Sequence, residues 1–173
     1  TANQATYGGA ICAMNYSTVE ISGGTLSSNR AYSSGGAIQI ETGAEVRISG
    51  GDVSSNTSDK ALGNAIYNGA TLSLDAAAQI DSSNDIYLVS GKTVDITGKL
   101  TCSGFAATVT PQTYAEKTKV LGGSAMSTNY MKFGLSNSNW YTLANGTITS
   151  METTTVARVS KAGAFSVEYT DLS

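Results

Sequence analysis

The chain contains no histidine, one proline, two cysteines, one tryptophan and three phenylalanines in 173 residues. Without histidine, Ser-His-Asp triads and His-ligated zinc lose their defining side chain. Cys12 and Cys102 are too few and too far apart for a disulfide scaffold, and with no C-x-x-C motif they read as two separate thiols. Charge is also scarce: 10 Lys+Arg against 13 Asp+Glu leave a net charge of −3, and 13% of residues are charged, against ~25% in an average soluble domain. That scarcity excludes long solvated helices. With no basic cluster it also removes the usual footprint of a nucleic-acid binder. No apolar run approaches the ~18 residues of a membrane span, and no signal peptide opens the chain. No metal or cofactor site is expected. What is abundant is glycine, 19 residues, with serine, threonine and asparagine, a mixture suited to short strands and turns. The length fits one domain of roughly 100–200 residues.

An internal repeat organises the first two thirds. Gly8-Gly9-Ala10-Ile11 returns as Gly35-Gly36-Ala37-Ile38 and then as Gly63-Asn64-Ala65-Ile66. Val19-Glu20-Ile21-Ser22-Gly23-Gly24-Thr25-Leu26-Ser27-Ser28-Asn29 returns with the same step as Val46-Arg47-Ile48-Ser49-Gly50-Gly51-Asp52-Val53-Ser54-Ser55-Asn56. Two degenerate copies follow, through Leu72, Leu74, Ile80 and Asn84, and through Ile86, Val94, Ile96 and Leu100. Each copy carries three apolar runs in which apolar and polar residues alternate, the period of a half-buried strand. Gly-Gly, Ser-Gly and Ser-Asn pairs separate the runs and supply turns.

A step of about 27 residues with three strands describes one coil of an all-β parallel β-helix, a solenoid in which equivalent strands stack about 4.8 Å apart. The reading predicts an inward column of Ile21, Ile48, Leu74 and Ile96, and beside it one of Val19, Val46, Leu72 and Val94. Asn29, Asn56 and Asn84 should stack at one corner, and Gly23-Gly24 and Gly50-Gly51 should relieve crowded or left-handed backbone at another. Outside, Glu20, Arg47, Ser73 and Asp95 should form one row, with Glu20 and Arg47 as oppositely charged neighbours. A second row should hold Thr18, Glu45, Thr71 and Thr93.

Leu26-Ser27-Ser28-Asn29 followed by Gly35-Gly36-Ala37-Ile38 resembles the paired repeat of polymorphic outer-membrane and other bacterial surface proteins. The order Ile-Ser-Gly-Gly-Thr-Leu-Ser-Ser-Asn is similar to pectate-lyase-like β-helix proteins displayed by Gram-positive gut bacteria. The resemblance covers residues 3–100 and implies a right-handed parallel β-helix, secreted to a bacterial cell surface, with a role in adhesion or display. Leu26 and Val53 stand where the outer-membrane family has an aromatic residue.

After Pro111 the regular step is lost, so residues 1–111 are assigned to the coils and 112–173 to a C-terminal β-rich cap that hides the open end of the solenoid. In it, Met131, Phe133 and Leu135 alternate as one strand. Residues 140–149 read as a hairpin with a type I′ turn at Asn145-Gly146. Residues 153–160 and 164–170 read as a second hairpin. Phe133 and Trp140 are expected in the cap core. At the other end, Asn3-Gln4-Ala5 resembles Asn29-Arg30-Ala31, so the chain is expected to start inside a coil, as the C-terminal piece of a longer solenoid. Its first coil then exposes unpaired strand edges, a route to self-association.

For function, the reading favours a non-catalytic structural and adhesive module over an enzyme. Tyr16, Tyr32, Tyr67 and Tyr87 are candidate aromatic contacts. Tyr67 and Tyr87 form the ligand-binding candidate, because each follows an inward isoleucine and should point out beside the other, towards a host glycan or protein. The alternative is a polysaccharide lyase or hydrolase. General acid–base work needs two carboxylates facing one substrate, and the nearest pair in sequence is Asp81 and Asp85.

Overall fold

Alternating aliphatic and polar residues satisfy a strand only if one face finds an apolar partner, and here the partner is the same residue one coil away. The structure, a computed structural model, describes residues 1–151, 156–159 and 165–168. It is a β-solenoid of about five turns with a step of about 27 residues. Among the described residues the coils build three parallel sheets. A long sheet stacks Thr18–Ser27, Glu45–Ser54, Thr71–Ala76, Val94–Leu100 and Leu121–Gly122, with Gln79–Ile80 beside Asp52 and Val53. A six-rung sheet stacks Ile11–Ala13, Ile38–Ile40, Ile66–Asn68, Asp85–Leu88, Ala107–Pro111 and Phe133–Leu135. A short sheet stacks Gln4–Tyr7, Arg30–Ser34 and Thr57–Ser58.

Register puts like on like. Ile21 pairs with Ile48, Ile48 with Leu74 and Leu74 with Ile96, while Val19, Val46, Leu72, Val94 and Leu121 form the parallel column. Ile48, Leu74 and Ile96 are at most 1% exposed, and each such side chain adds about 1.5–3 kcal/mol by leaving water. A third column runs Ile11, Ile38, Ile66, Ile86, Val109 and Leu135. No coil can bury these faces alone, so the coils are stable only as a stack.

Two features differ from the three-run pattern. The second and third runs fuse into one ten-residue strand, since pairing shifts register around Ser22 and Gly50 but resumes at Thr25 and Asp52. Gly24 and Gly51 take φ of +87° and +97° in that bulge, the left-handed backbone that glycine adopts at least cost. The third sheet comes from Arg30-Ala31-Tyr32-Ser33-Ser34, in which the buried residues are Ala31 and the polar Ser34, so it gives no apolar run.

The asparagine corner is a continuous ladder. Asn3, Asn29 and Asn56 each donate a side-chain N–H, at 2.9–3.1 Å, to the Oδ1 of the next, the last acceptor being Asn84. Their backbone N–H groups donate to the same oxygens at 2.9–3.0 Å. Further along, Leu100 N–H donates to Asn129 Oδ1 at 3.1 Å, and Asn129 sits in a short helical segment, Met126–Asn129, with a 3-10 turn over Tyr130–Lys132. Nothing in the repeat announces that helix.

Coil pairing continues past Pro111. Leu121 pairs with Val94, and Phe133–Leu135 lies on Ala107, Thr108 and Val109 as the sixth rung, so the loss of the sequence step at Pro111 does not mark the end of the stack. Phe133 is buried, but Met131 is 77% exposed in the 3-10 turn rather than one residue of the strand. The hairpin pairs Trp140 with Ser150, Tyr141 with Thr149 and Thr142 with Ile148. Its turn is not type I′. Gly146 N–H donates to Leu143 C=O at 2.8 Å, and Gly146 alone carries positive φ, +81°, the pattern of a three-residue loop with a glycine bulge. This arrangement lets Gly146 C=O accept from Val120 and Leu121 N–H, tying the hairpin to the last rung of the long sheet. Of the second hairpin, Val156–Val159 pairs antiparallel with Phe165–Glu168; the remainder of 153–170 lies outside the described residues.

Candidate functional site on the outer faces

The outer column of the six-rung sheet reads Cys12, Gln39, Tyr67, Tyr87 and Thr110 in register. Tyr67 and Tyr87 are brought together as the alternation requires, ring centroids 5.6 Å apart and planes inclined by 12°. They lie one over the other along the stacking direction, so each ring covers a face of its neighbour. The pair therefore keeps one face of each ring closed to a ligand. Next to it, Ser34 Oγ donates to Gln39 Oε1 at 2.8 Å, and Gln39 Nε2 donates to Glu41 Oε1 at 2.7 Å. Partial burial, then the Glu41 carboxylate and Tyr87, hold the Tyr67 phenol above its ordinary pKa; burial does the same for Tyr87. Cys12 is raised by burial and by Glu41, and Cys12 and Cys102 are both free thiols.

A raised phenol pKa stabilises the fold fully below the unfolded value of ~10, and that contribution is lost as pH rises through the folded pKa. Ultraviolet difference titration should therefore show two phenols, Tyr67 and Tyr87, ionising above the ordinary tyrosine value. Tyr87→Phe should bring the Tyr67 transition towards the ordinary value. Tyr67→Phe and Tyr87→Phe variants that each lose no late-ionising phenol would contradict this.

Tyr16 and Tyr32 go elsewhere. Tyr16, 87% exposed, lies over Gly43. Tyr32 donates its hydroxyl hydrogen to Gln4 Oε1 at 2.7 Å, with the Arg30 guanidinium 5.2 Å from its ring centre. Arg30 also pairs with Asp59 at 2.8 Å, which holds that carboxyl below its ordinary pKa.

On the long sheet, the outer side chains line a groove. Glu20, Arg47, Ser73 and Asp95 form one row in register, as expected. The expected cross-strand ion pair is replaced: Arg47 Nε donates to Glu45 Oε1 at 2.8 Å within its own strand, because residues two apart on one face are within reach without crossing to the next coil. Glu20 acts on Arg47 as a more distant charge. The result is an open polar groove of about 490 Å³ lined by Glu20, Ser22, Glu45, Arg47, Ser49, Ser73, Asp75 and Thr97. The expected row does not include Ser22, Ser49 and Thr97, although the even spacing Glu45, Arg47, Ser49 carries the signal.

Asp81 and Asp85 do not face a common point. Asp81 Oδ1 accepts from the Ser83 backbone N–H and hydroxyl at 2.8 and 2.5 Å, closing a turn. Asp85 accepts from Asn64 N–H at 2.7 Å and Thr110 Oγ1 at 2.6 Å, tying three coils together. At the far end a more apolar recess of about 600 Å³ is lined by Phe105, Met131, Phe133, Leu135, Trp140 and Tyr141 among others. Phe133 is core, as foreseen, while Trp140 is half-buried and packs at 50° against Tyr114. Among the described residues no three His, Cys, Asp or Glu side chains converge as a metal site, and no helix is long and apolar enough to cross a membrane. The chain matches no protein-family model, no curated protein and no solved structure.

Proposed function

We propose that the chain is a non-catalytic structural and adhesive module, secreted to a bacterial cell surface, whose outer faces contact a host glycan or protein. The observation that carries this reading is the preset geometry of those faces. Tyr67 is held against Tyr87 in the next coil, while Gln39 on Glu41 and Arg47 on Glu45 are each held by a residue two places away in the same coil. Side chains already ordered before contact lose less conformational freedom on binding. The polar groove adds carboxylates, hydroxyls and a guanidinium suited to sugar hydroxyls or a polar peptide.

A glycan array and a host-protein binding screen test the reading on the intact chain. Binding that falls at least tenfold in Tyr67→Ala or Arg47→Ala supports it and distinguishes the two faces. Absence of binding in both screens overturns it.

One observation favours a second reading, a polysaccharide lyase or hydrolase: Glu20, Glu45, Asp75 and Arg47 share one groove. Carboxylates facing one substrate are what glycosidic cleavage uses. Incubation with acidic and neutral polysaccharides, with and without calcium, decides between them, since only the enzyme releases reducing or unsaturated ends.

A further inference from the structure

We infer that the apolar recess beside the last rung of the six-rung sheet is the docking surface for the chain's own second hairpin, Val156–Val159 with Phe165–Glu168. Three observations set this occupant.

The recess is the kind of surface that needs a cover. It gathers Phe105, Met131, Phe133, Leu135, Trp140 and Tyr141 from three stretches of chain. Phe105, Met131 and Tyr141 are 60%, 77% and 45% exposed. Large apolar side chains exposed singly are ordinary, but several sharing one recess mark a contact surface. Leu135 is only half-buried, whereas Val109, its partner in register, is fully buried. Among the described residues no charged side chain lines the recess.

The hairpin is the kind of element that needs such a surface. Two antiparallel strands alone are marginally stable in water. Val156 pairs with Glu168, Ala157 with Val167, Arg158 with Ser166 and Val159 with Phe165. Residues directly opposite share a face, and successive residues alternate between faces. Ala157, Val159, Phe165 and Val167 therefore belong to one face, and Val156, Arg158, Ser166 and Glu168 to the other. One face is wholly apolar and the other carries both charges, the pattern of a sheet packed on one side and wet on the other.

The chain also delivers the hairpin to this place. Ser150 pairs with Trp140, and Met151 N–H donates to Asn139 C=O at 2.7 Å. The strand leading to the hairpin thus leaves beside Trp140 and Tyr141, which line the recess. From Met151 to Val156 the chain can reach about 17 Å when extended, enough to turn back over it. A second copy of the chain seated here would cover the recess but leave both hairpins without a partner surface.

The test uses the intact chain, with Trp140, its one tryptophan, as a reporter inside the recess. Phe165→Asp should raise acrylamide quenching of Trp140 at least threefold. It should also speed amide exchange in Val156–Val159 and Phe165–Glu168 at least tenfold, with exchange in Ile38–Ile40 and Ile66–Asn68 unchanged. Val156→Asp, on the opposite face, should change neither readout. Met131→Asp alters the recess at an exposed position and should release the hairpin amides in the same way, so the test stands even where Phe165→Asp does not fold. Sedimentation should find a monomer throughout. Hairpin amides that exchange no faster in Met131→Asp than in the original chain overturn the inference. So does a dimer in which dilution, and neither substitution, opens Trp140 to the quencher.

Discussion

Gly36→Ala is expected to destabilise the protein by about 3 kcal/mol or more, which at this chain length lowers Tm by roughly 6–12 °C. Gly36 is buried where two coils touch backbone to backbone. An added methyl would lie 2.1 Å from Asn64 C=O and 2.7 Å from the Thr57 backbone. Neither contact is the far end of a flexible side chain, so relief requires parting the coils, which strains the stacked columns on either side. The informative comparison is Asn64→Ala at the equivalent position one coil on. There the chain runs from Asn84 straight into the Asp85–Leu88 strand, and the short sheet has no further rung. Asn64 has room, its Oδ1 accepting from Ser58 N–H at 3.0 Å. Losing that bond costs about 1 kcal/mol. Thermal or denaturant unfolding of the two variants checks the contrast; equal losses would mean the coils do not approach this closely.

Asn56→Ala should cost about 3–5 kcal/mol, from several buried polar groups stranded at about 1–3 kcal/mol each. Asn56 Oδ1 accepts from the Asn29 backbone and side chain, both at 2.9 Å, and its Nδ2 donates to Asn84 Oδ1 and Leu26 C=O. The truncation leaves Asn29 donors and Asn84 and Leu26 acceptors facing a gap within the ladder. Asn3→Ala, at the exposed end of the same ladder, should cost under about 1 kcal/mol because water replaces the lost partners. Asn56→Asp keeps the acceptor but loses the donor and buries a charge. It should be destabilising at neutral pH and partly recover at low pH, when the carboxyl is protonated. Equilibrium unfolding at two pH values tests both points, and a flat response along the ladder would show that the asparagines act independently.

Most of the fold was legible because a solenoid repeats its own contacts. Once Ile21 and Ile48 occupy equivalent places in a 27-residue step, the partner of one is the other, and no long-range contact has to be guessed. The same logic placed Tyr67 beside Tyr87 and Asn29 beside Asn56. It failed where a residue's role depends on something outside the repeat. The short sheet is silent in the pattern because Ala31 is the one buried apolar residue in Arg30-Ala31-Tyr32-Ser33-Ser34. The rungs at Leu121 and Phe133 were missed because the connections between them change length. The hairpin turn differs because Asn-Gly serves two loop types, and here Gly146 alone takes the left-handed backbone, closing a three-residue loop whose Gly146 C=O accepts from Val120 and Leu121.

The amino-acid order alone determined the β class, the coil length, the stacked columns and the asparagine corner, since each follows from a period that neighbouring coils must share. Only the tertiary structure decided that Arg47 pairs with Glu45 rather than Glu20, that the outer side chains of the long sheet share one groove, and that the two tyrosine rings each cover a face of the other. Those outcomes turn on the reach and orientation of side chains at particular rungs, and a repeat pattern carries neither.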